Sequence, residues 1–184
     1  MKSLSSVLTR EISLTGSARS LIMTVLFAFL TFAGAMIRIP LPMTPVPVTL
    51  QTFVLFMAVY YLKPKELGMS QLIYVIVGLV GAPVFAAGVT GMLALVGPTA
   101  GYLAGFIVAG VVMCLIKEKI RPGFAGMAAV FAAGITIIYI MGAVHLVLAY
   151  KMSVANAFLA GIAPFLAADA AKLLIASSFA LKGK

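Results

Sequence analysis

The sequence predicts an all-α integral membrane protein, a bundle of six transmembrane helices around an outward-facing ligand pocket, with residues 1–184 as a single membrane domain. Three observations predict it. Of the 184 residues, 64% are apolar and only 9% charged, and the mean hydropathy of +1.21 is that of a membrane chain and not of a water-soluble domain. The apolar residues fall into runs that provide about six spans of roughly 20 residues, leaving no room for a soluble domain. The basic residues behind the net charge of +9 gather in the short segments between alternate runs, as they do on cytoplasmic loops. In a soluble chain that charge would point to nucleic acid; here it reports topology, and the expected surroundings are a lipid bilayer with no nucleic-acid partner. The one cysteine, Cys114, lies inside an apolar run, so no disulfide framework is possible.

Residues 1–19 are polar and Ser-rich, with Lys2, Arg10 and Arg19, and read as a cytoplasmic N-terminal segment; six helices fill about 20–181. The first apolar run, Leu21 to Ile37, is long for a signal-peptide core and ends without a small-x-small cleavage site, so it reads as an uncleaved helix. Within it Thr24, Ala28, Thr31 and Ala35 recur at helical spacing and form a stripe of small side chains. Such stripes admit a close neighbour in lipid, which is either another helix of this chain or a separate partner subunit.

Next comes Arg38-Ile39-Pro40-Leu41-Pro42-Met43-Thr44-Pro45-Val46-Pro47. Each proline lacks an N–H and pushes its predecessor out of the α region, so this stretch predicts a stiff extended loop at the membrane surface, suited to a lid because closing it orders little. The second span is expected from about Val48 to Leu62, with Thr49, Gln51 and Thr52 near its start. After a charged turn at Lys63, Lys65 and Glu66, a third runs from about Gly68 to Gly81.

Residues 81–101 are rich in Gly and Pro, which predicts an irregular backbone. At membrane depth such backbone is tolerated only against protein or a cavity, so the segment is expected to line a pocket, with Phe85, Tyr102 and Phe106 as aromatic walls, or else to be a loop outside the bilayer. The fourth span covers about Ala100 to Ile116, and Lys117, Glu118, Lys119 and Arg121 follow. The fifth covers about Phe124 to Leu148 and carries Tyr139 and His145, the latter expected as an interfacial hydrogen-bonder. The last helix, Pro164 to Ala176, carries Asp169 and Lys172.

Counting charges sets the orientation. One side receives Lys2, Arg10, Arg19, Lys63, Lys65, Lys117, Lys119, Arg121, Lys182 and Lys184; the other receives Arg38 and Lys151. The positive-inside rule places both termini in the cytoplasm of a multi-pass protein and turns the proline-rich and Gly/Pro-rich segments outward.

Asp169 is one of only four acidic residues and sits in a long apolar run. Lys172, three positions on, shares its helical face. A charge at membrane depth costs about 2.5–3.5 kcal/mol on insertion scales and marks a ligand or ion site by default; the plainer reading is a neutralised pair that locks the bundle. No zinc motif, nucleophile elbow, second buried carboxylate or P-loop accompanies the pair, so no catalytic residue, metal site or cofactor is expected, and the chain is not read as an enzyme. A carboxylate accepts from N–H donors and an ammonium donates to carbonyl or carboxylate oxygens, so a ligand carrying both kinds of group could insert between them. An ion- or proton-coupled carrier with Asp169 as relay is the alternative these residues leave open.

The stretch from Arg38 to Phe53, RIPLPMTPVPVTLQTF, resembles the first-loop motif of the BioY family, the biotin-specific substrate-binding (S) components of energy-coupling factor (ECF) transporters of prokaryotic plasma membranes. Gly78-x-x-Gly81-x-Pro83-Val84-Phe85, Gly97-Pro98-Thr99-x-Gly101-Tyr102-x-x-Gly105-Phe106 and Pro164-x-x-x-x-Asp169-x-x-Lys172 are also similar to that family, in order along the chain. The resemblance implies a six-helix fold, high-affinity capture of biotin from outside, and partnership with a transmembrane coupling subunit and two cytoplasmic ABC ATPases. It implies Asp169 and Lys172 at the ureido end of biotin, Arg38 at the valerate carboxylate, Phe85 and Tyr102 against the bicyclic ring, and residues 38–47 as a lid. An S component for another small vitamin stands beside it as an alternative. Two departures are visible: the family's Ala-x-x-x-Ala docking pattern on the first helix is replaced by Thr24/Ala28 and Thr31/Ala35, which are expected to dock the coupling subunit here, and Ala86-Ala87 stand where a polar ligand group is expected.

Overall fold

The computed structural model describes residues 16–121 and 123–181. Most of the 1–19 segment, and Lys2, Arg10, Lys182 and Lys184 of the charge count, lie outside the described residues. The first helix, α1, runs Gly16–Met36. A two-residue strand β1 (Arg38–Ile39) pairs antiparallel with β2 (Val48–Thr49), Arg38 opposite Thr49 and Ile39 opposite Val48. The proline-rich stretch is therefore the loop of a small ribbon that doubles back and delivers the chain directly into α2 (Gln51–Tyr61). Pairing shortens the second helix from the expected 48–62, because residues 48–49 bond to β1 instead.

Helix α3 (Pro64–Leu79) starts with proline at its first position, where the missing N–H has no partner to lose. Glu66 Oε2 accepts from the Lys63 N–H at 2.8 Å and fixes that start. Residues 80–99 hold only a 3₁₀ turn (Ala86–Gly88) and the five-residue α4 (Met92–Val96), the broken backbone that the glycines and prolines predict. Helix α5 (Ala100–Lys117) follows, then α6 (Phe124–Tyr150), α7 (Val154–Gly161), a 3₁₀ turn (Ala163–Phe165) and α8 (Leu166–Ser178). His145 and Tyr150, near the end of α6, bond the carbonyls of Gly97 and Val96 at 3.0 and 2.8 Å, pinning the α4 segment to α6.

Four helical stretches are long and apolar enough to cross a membrane: α1, α5, α6 and the α7–α8 stretch Val154–Ser178. At 1.5 Å per residue α2 spans only about 16 Å and α3 about 24 Å, short of a hydrocarbon core of about 30 Å. Leu21, Ile22, Val25 and Phe29 of α1 are exposed, as are Ile140, Val144 and Leu148 of α6, the reverse of a soluble protein and what a lipid-facing surface requires. Helices α5 and α6 pack closely because glycine faces the seam: a Cβ at Gly101 would strike the Met141 carbonyl and the His145 side chain.

The small-residue stripe of α1 requires a correction. Thr24, Ala28, Thr31 and Ala35 are all buried, on a helix that packs against α3 and α2. Gln71 Nε2 of α3 donates to Thr31 Oγ1 at 3.1 Å, and the threonine hydroxyls donate back to the Ser20 and Phe27 carbonyls at 2.8 Å each. Helices of this same chain use the close approach, so the stripe is not a free docking face for another subunit.

Candidate functional site

The site is built where the last membrane stretch breaks. Pro164 cannot donate a backbone hydrogen bond, and the helix stops at Gly161, turns through Ala163–Phe165 and restarts at Leu166. Pro164 thus belongs to the turn and not to the last helix. Of the carbonyls left over at the end of α7, that of Gly161 accepts the Tyr102 hydroxyl at 2.7 Å. Asp169 falls in the first turn of α8, where unpaired N–H groups and the helix dipole favour a carboxylate.

Asp169 is buried, and its charge is met on both oxygens. Lys172 Nζ lies 2.7 Å from Oδ1, and Thr52 Oγ1 donates to the same oxygen at 2.9 Å. Tyr139, from the middle of α6, donates to Oδ2 at 2.8 Å. Lys172 directs its remaining hydrogens to Thr52 Oγ1 at 3.0 Å and to the Thr49 carbonyl at 2.7 Å. All three ammonium donors therefore have an acceptor. A buried ion pair holds only when further hydrogen bonds satisfy its remaining valences, and here α2, α6 and β2 supply them.

These groups form one wall of an open-mouthed hollow with about 60 Å³ of space for the centres of water molecules. Space of that size suits a few waters, so a larger guest must move part of the wall. Phe85, Tyr102, Phe106 and Phe165 supply the apolar side. Tyr102 stands edge-on to Phe165 with centroids 6.3 Å apart, and a Cβ at Gly142 or Gly161 would collide with it. Gly78 in the same way leaves room for the ring of Phe85.

Of the sequence-predicted residues, Asp169, Lys172, Phe85 and Tyr102 line the hollow together. Arg38 does not: it is exposed on β1, one strand removed from the wall residue Thr49 that it pairs with. Ala86 lines the hollow without a polar group, and the polar side chains that line it besides Asp169 and Lys172 come from other elements. Thr52 and Tyr139 touch Asp169 directly, and Gln51 lines the hollow while its Nε2 donates to the Tyr74 hydroxyl at 2.8 Å. Tyr74 in turn donates to the Val84 carbonyl at 3.2 Å, tying α2 to the irregular segment. The cluster Thr49, Gln51, Thr52 at the head of an apolar helix was the available sequence signal; Tyr139 gave none, since one tyrosine in a long apolar helix is unremarkable.

The chain is similar to known proteins along most of its length. The BioY family model matches residues 4–184. The chain is 41% identical over 166 residues to the biotin transporter BioY of Thermotoga maritima, covering 90% of this chain and 96% of the relative. It is 36% identical over 155 residues to a probable biotin transporter BioY of Pyrococcus horikoshii, covering 84% and 90%. Among solved structures, the S-component for biotin from an ECF-type ABC transporter superposes with a TM-score of 0.82 at 21% identity, covering 94% of this chain and 96% of that one. That likeness shows a shared fold.

Proposed function

The chain belongs to the BioY family, and from that premise we propose that it is the biotin-capturing S component of an ECF-type vitamin uptake transporter, a binding subunit and not an enzyme. The observation that carries the reading is the Asp169–Lys172 pair, held in a hollow whose other walls are largely apolar and include four aromatic rings. Biotin has matching halves. Its ureido group offers two N–H donors and a carbonyl acceptor, and its fused rings are apolar. In the bound state Asp169 accepts a ureido N–H on the lone pair that Thr52, Tyr139 and Lys172 leave free, and Lys172 turns one of its donors to the ureido carbonyl. Phe85 and Tyr102 pack the rings, and the valerate chain leads to the mouth, where Arg38 meets its carboxylate. That space is too small for the rings, so the loop of residues 38–47 draws back to admit them and closes afterwards as a lid.

In this reading six helical segments cross the membrane, with α2 and α3 as short spans and α7–α8 counted as one. Both termini face the cytoplasm and the hollow opens outward. A coupling subunit and two ABC ATPases provide the energy. Competition binding tests the assignment: labelled biotin bound to the purified protein should be displaced by unlabelled biotin and by dethiobiotin, which keeps the ureido ring, but not by thiamin or riboflavin. Displacement by thiamin or riboflavin and not by biotin would assign the pocket to another vitamin.

A further inference from the structure

A second hollow of about 350 Å³ lies between α6 and α7, outside the biotin pocket. Val144, Val147 and Leu148 of α6 face Val154 and Phe158 of α7, and Ile162 just beyond its end, across it. Leu148 and Val154 are strongly exposed, so the groove opens toward lipid. Both of its walls run to the turn between the two helices, and Lys151 occupies that turn. Lys151 is exposed, and no carboxylate among the described residues pairs with it. Its backbone is left-handed, φ 53°, the only such non-glycine position among the described residues. Glycine would sit there without strain, so this turn carries a cationic side chain at a position whose backbone favours glycine.

We propose that this groove and Lys151 together bind a phospholipid with a net anionic headgroup, one acyl chain lying between α6 and α7 and the phosphate meeting the ammonium. The apolar walls alone would accept any acyl chain; the lone uncompensated cation at their end selects a net negative head. Position gives the lipid a consequence. Helix α7 leads directly into the 162–165 break that presents Asp169, and a chain filling the groove braces α7 against α6.

The test uses the purified full chain in detergent without biotin, so it does not depend on what the pocket binds. Dioleoyl phosphatidylglycerol should raise the unfolding temperature by about 4 °C more than dioleoyl phosphatidylcholine, since a ligand of the native state stabilises by mass action. Lys151→Gly relaxes the turn and removes the charge, so it should fold and respond equally to both lipids, whereas Lys151→Arg should keep the difference. Val144→Trp, which fills the groove from its exposed wall, should weaken the response to both. Equal responses in the wild-type chain, a preference surviving in Lys151→Gly, or the same shift from glycerol phosphate without acyl chains would overturn the proposal.

Discussion

Three donors converge on the carboxylate of Asp169: the Thr52 and Tyr139 hydroxyls and the Lys172 ammonium. A hydrogen bond to a charged group contributes about 1.5–3 kcal/mol, so Tyr139→Phe should weaken biotin binding by about tenfold if the hydroxyl helps hold the carboxylate in the binding geometry. Equilibrium titration of the purified variant reads this, and unchanged affinity would make Tyr139 a structural partner only. Thr52→Val removes a donor to Asp169 and an acceptor from Lys172 together, and its loss should exceed that of Tyr139→Phe in the same assay. Asp169 and Lys172 were legible in the sequence because a charge inside an apolar run is costly and therefore conspicuous. Thr52 showed only as part of the polar cluster of residues 49–52, and Tyr139 not at all, because threonine and tyrosine sit in membrane helices at little cost. Arg38 was placed at the mouth from its neighbours along the chain, and strand pairing, which a two-residue ribbon does not announce, sets it exposed beside the wall residue Thr49 and outside the lining itself.

At the level of elements, the break between α7 and α8 sets where Asp169 points. Pro164→Ala restores the missing donor and favours continuation of the helix through the turn, which should rotate Asp169 away from Thr52 and Tyr139. Biotin affinity should drop at least about tenfold while helical content by circular dichroism holds or rises; retained affinity would show that other contacts fix α8. Gly142→Ala puts a methyl group into the ring of Tyr102, an overpacking that should destabilise by about 1–3 kcal/mol, measurable as a lower unfolding temperature. The prolines of residues 40–47 announced extended backbone, and the glycines and prolines of 81–101 announced irregular backbone, because both act locally. The stripe Thr24/Ala28/Thr31/Ala35 was legible as a packing face, yet its partner was not: spacing fixes which residues share a face, and only the assembled helices show that α3 and α2 cover it.

For the whole molecule, topology rests on the uneven distribution of Lys and Arg, a property that no single element contains. Composition made a membrane bundle legible at once, whereas the number of crossings was not, since α2 and α3 are too short to count by length alone. Cys114 is buried, which leaves a low background for thiol labelling. In intact cells a membrane-impermeant maleimide should react with Lys151→Cys and not with Lys65→Cys until the membrane is opened; the reverse pattern would invert the assigned orientation. The central claim is that Asp169 receives the ligand, and equilibrium binding of labelled biotin to purified Asp169→Asn tests it most directly. The amide keeps the shape but gives up the charge, and truncating or neutralising one member of a buried charge pair costs binding about 2–5 kcal/mol. Affinity should therefore fall by about a hundredfold or more while the protein still elutes as a folded, monodisperse species; wild-type affinity in that variant would contradict the account.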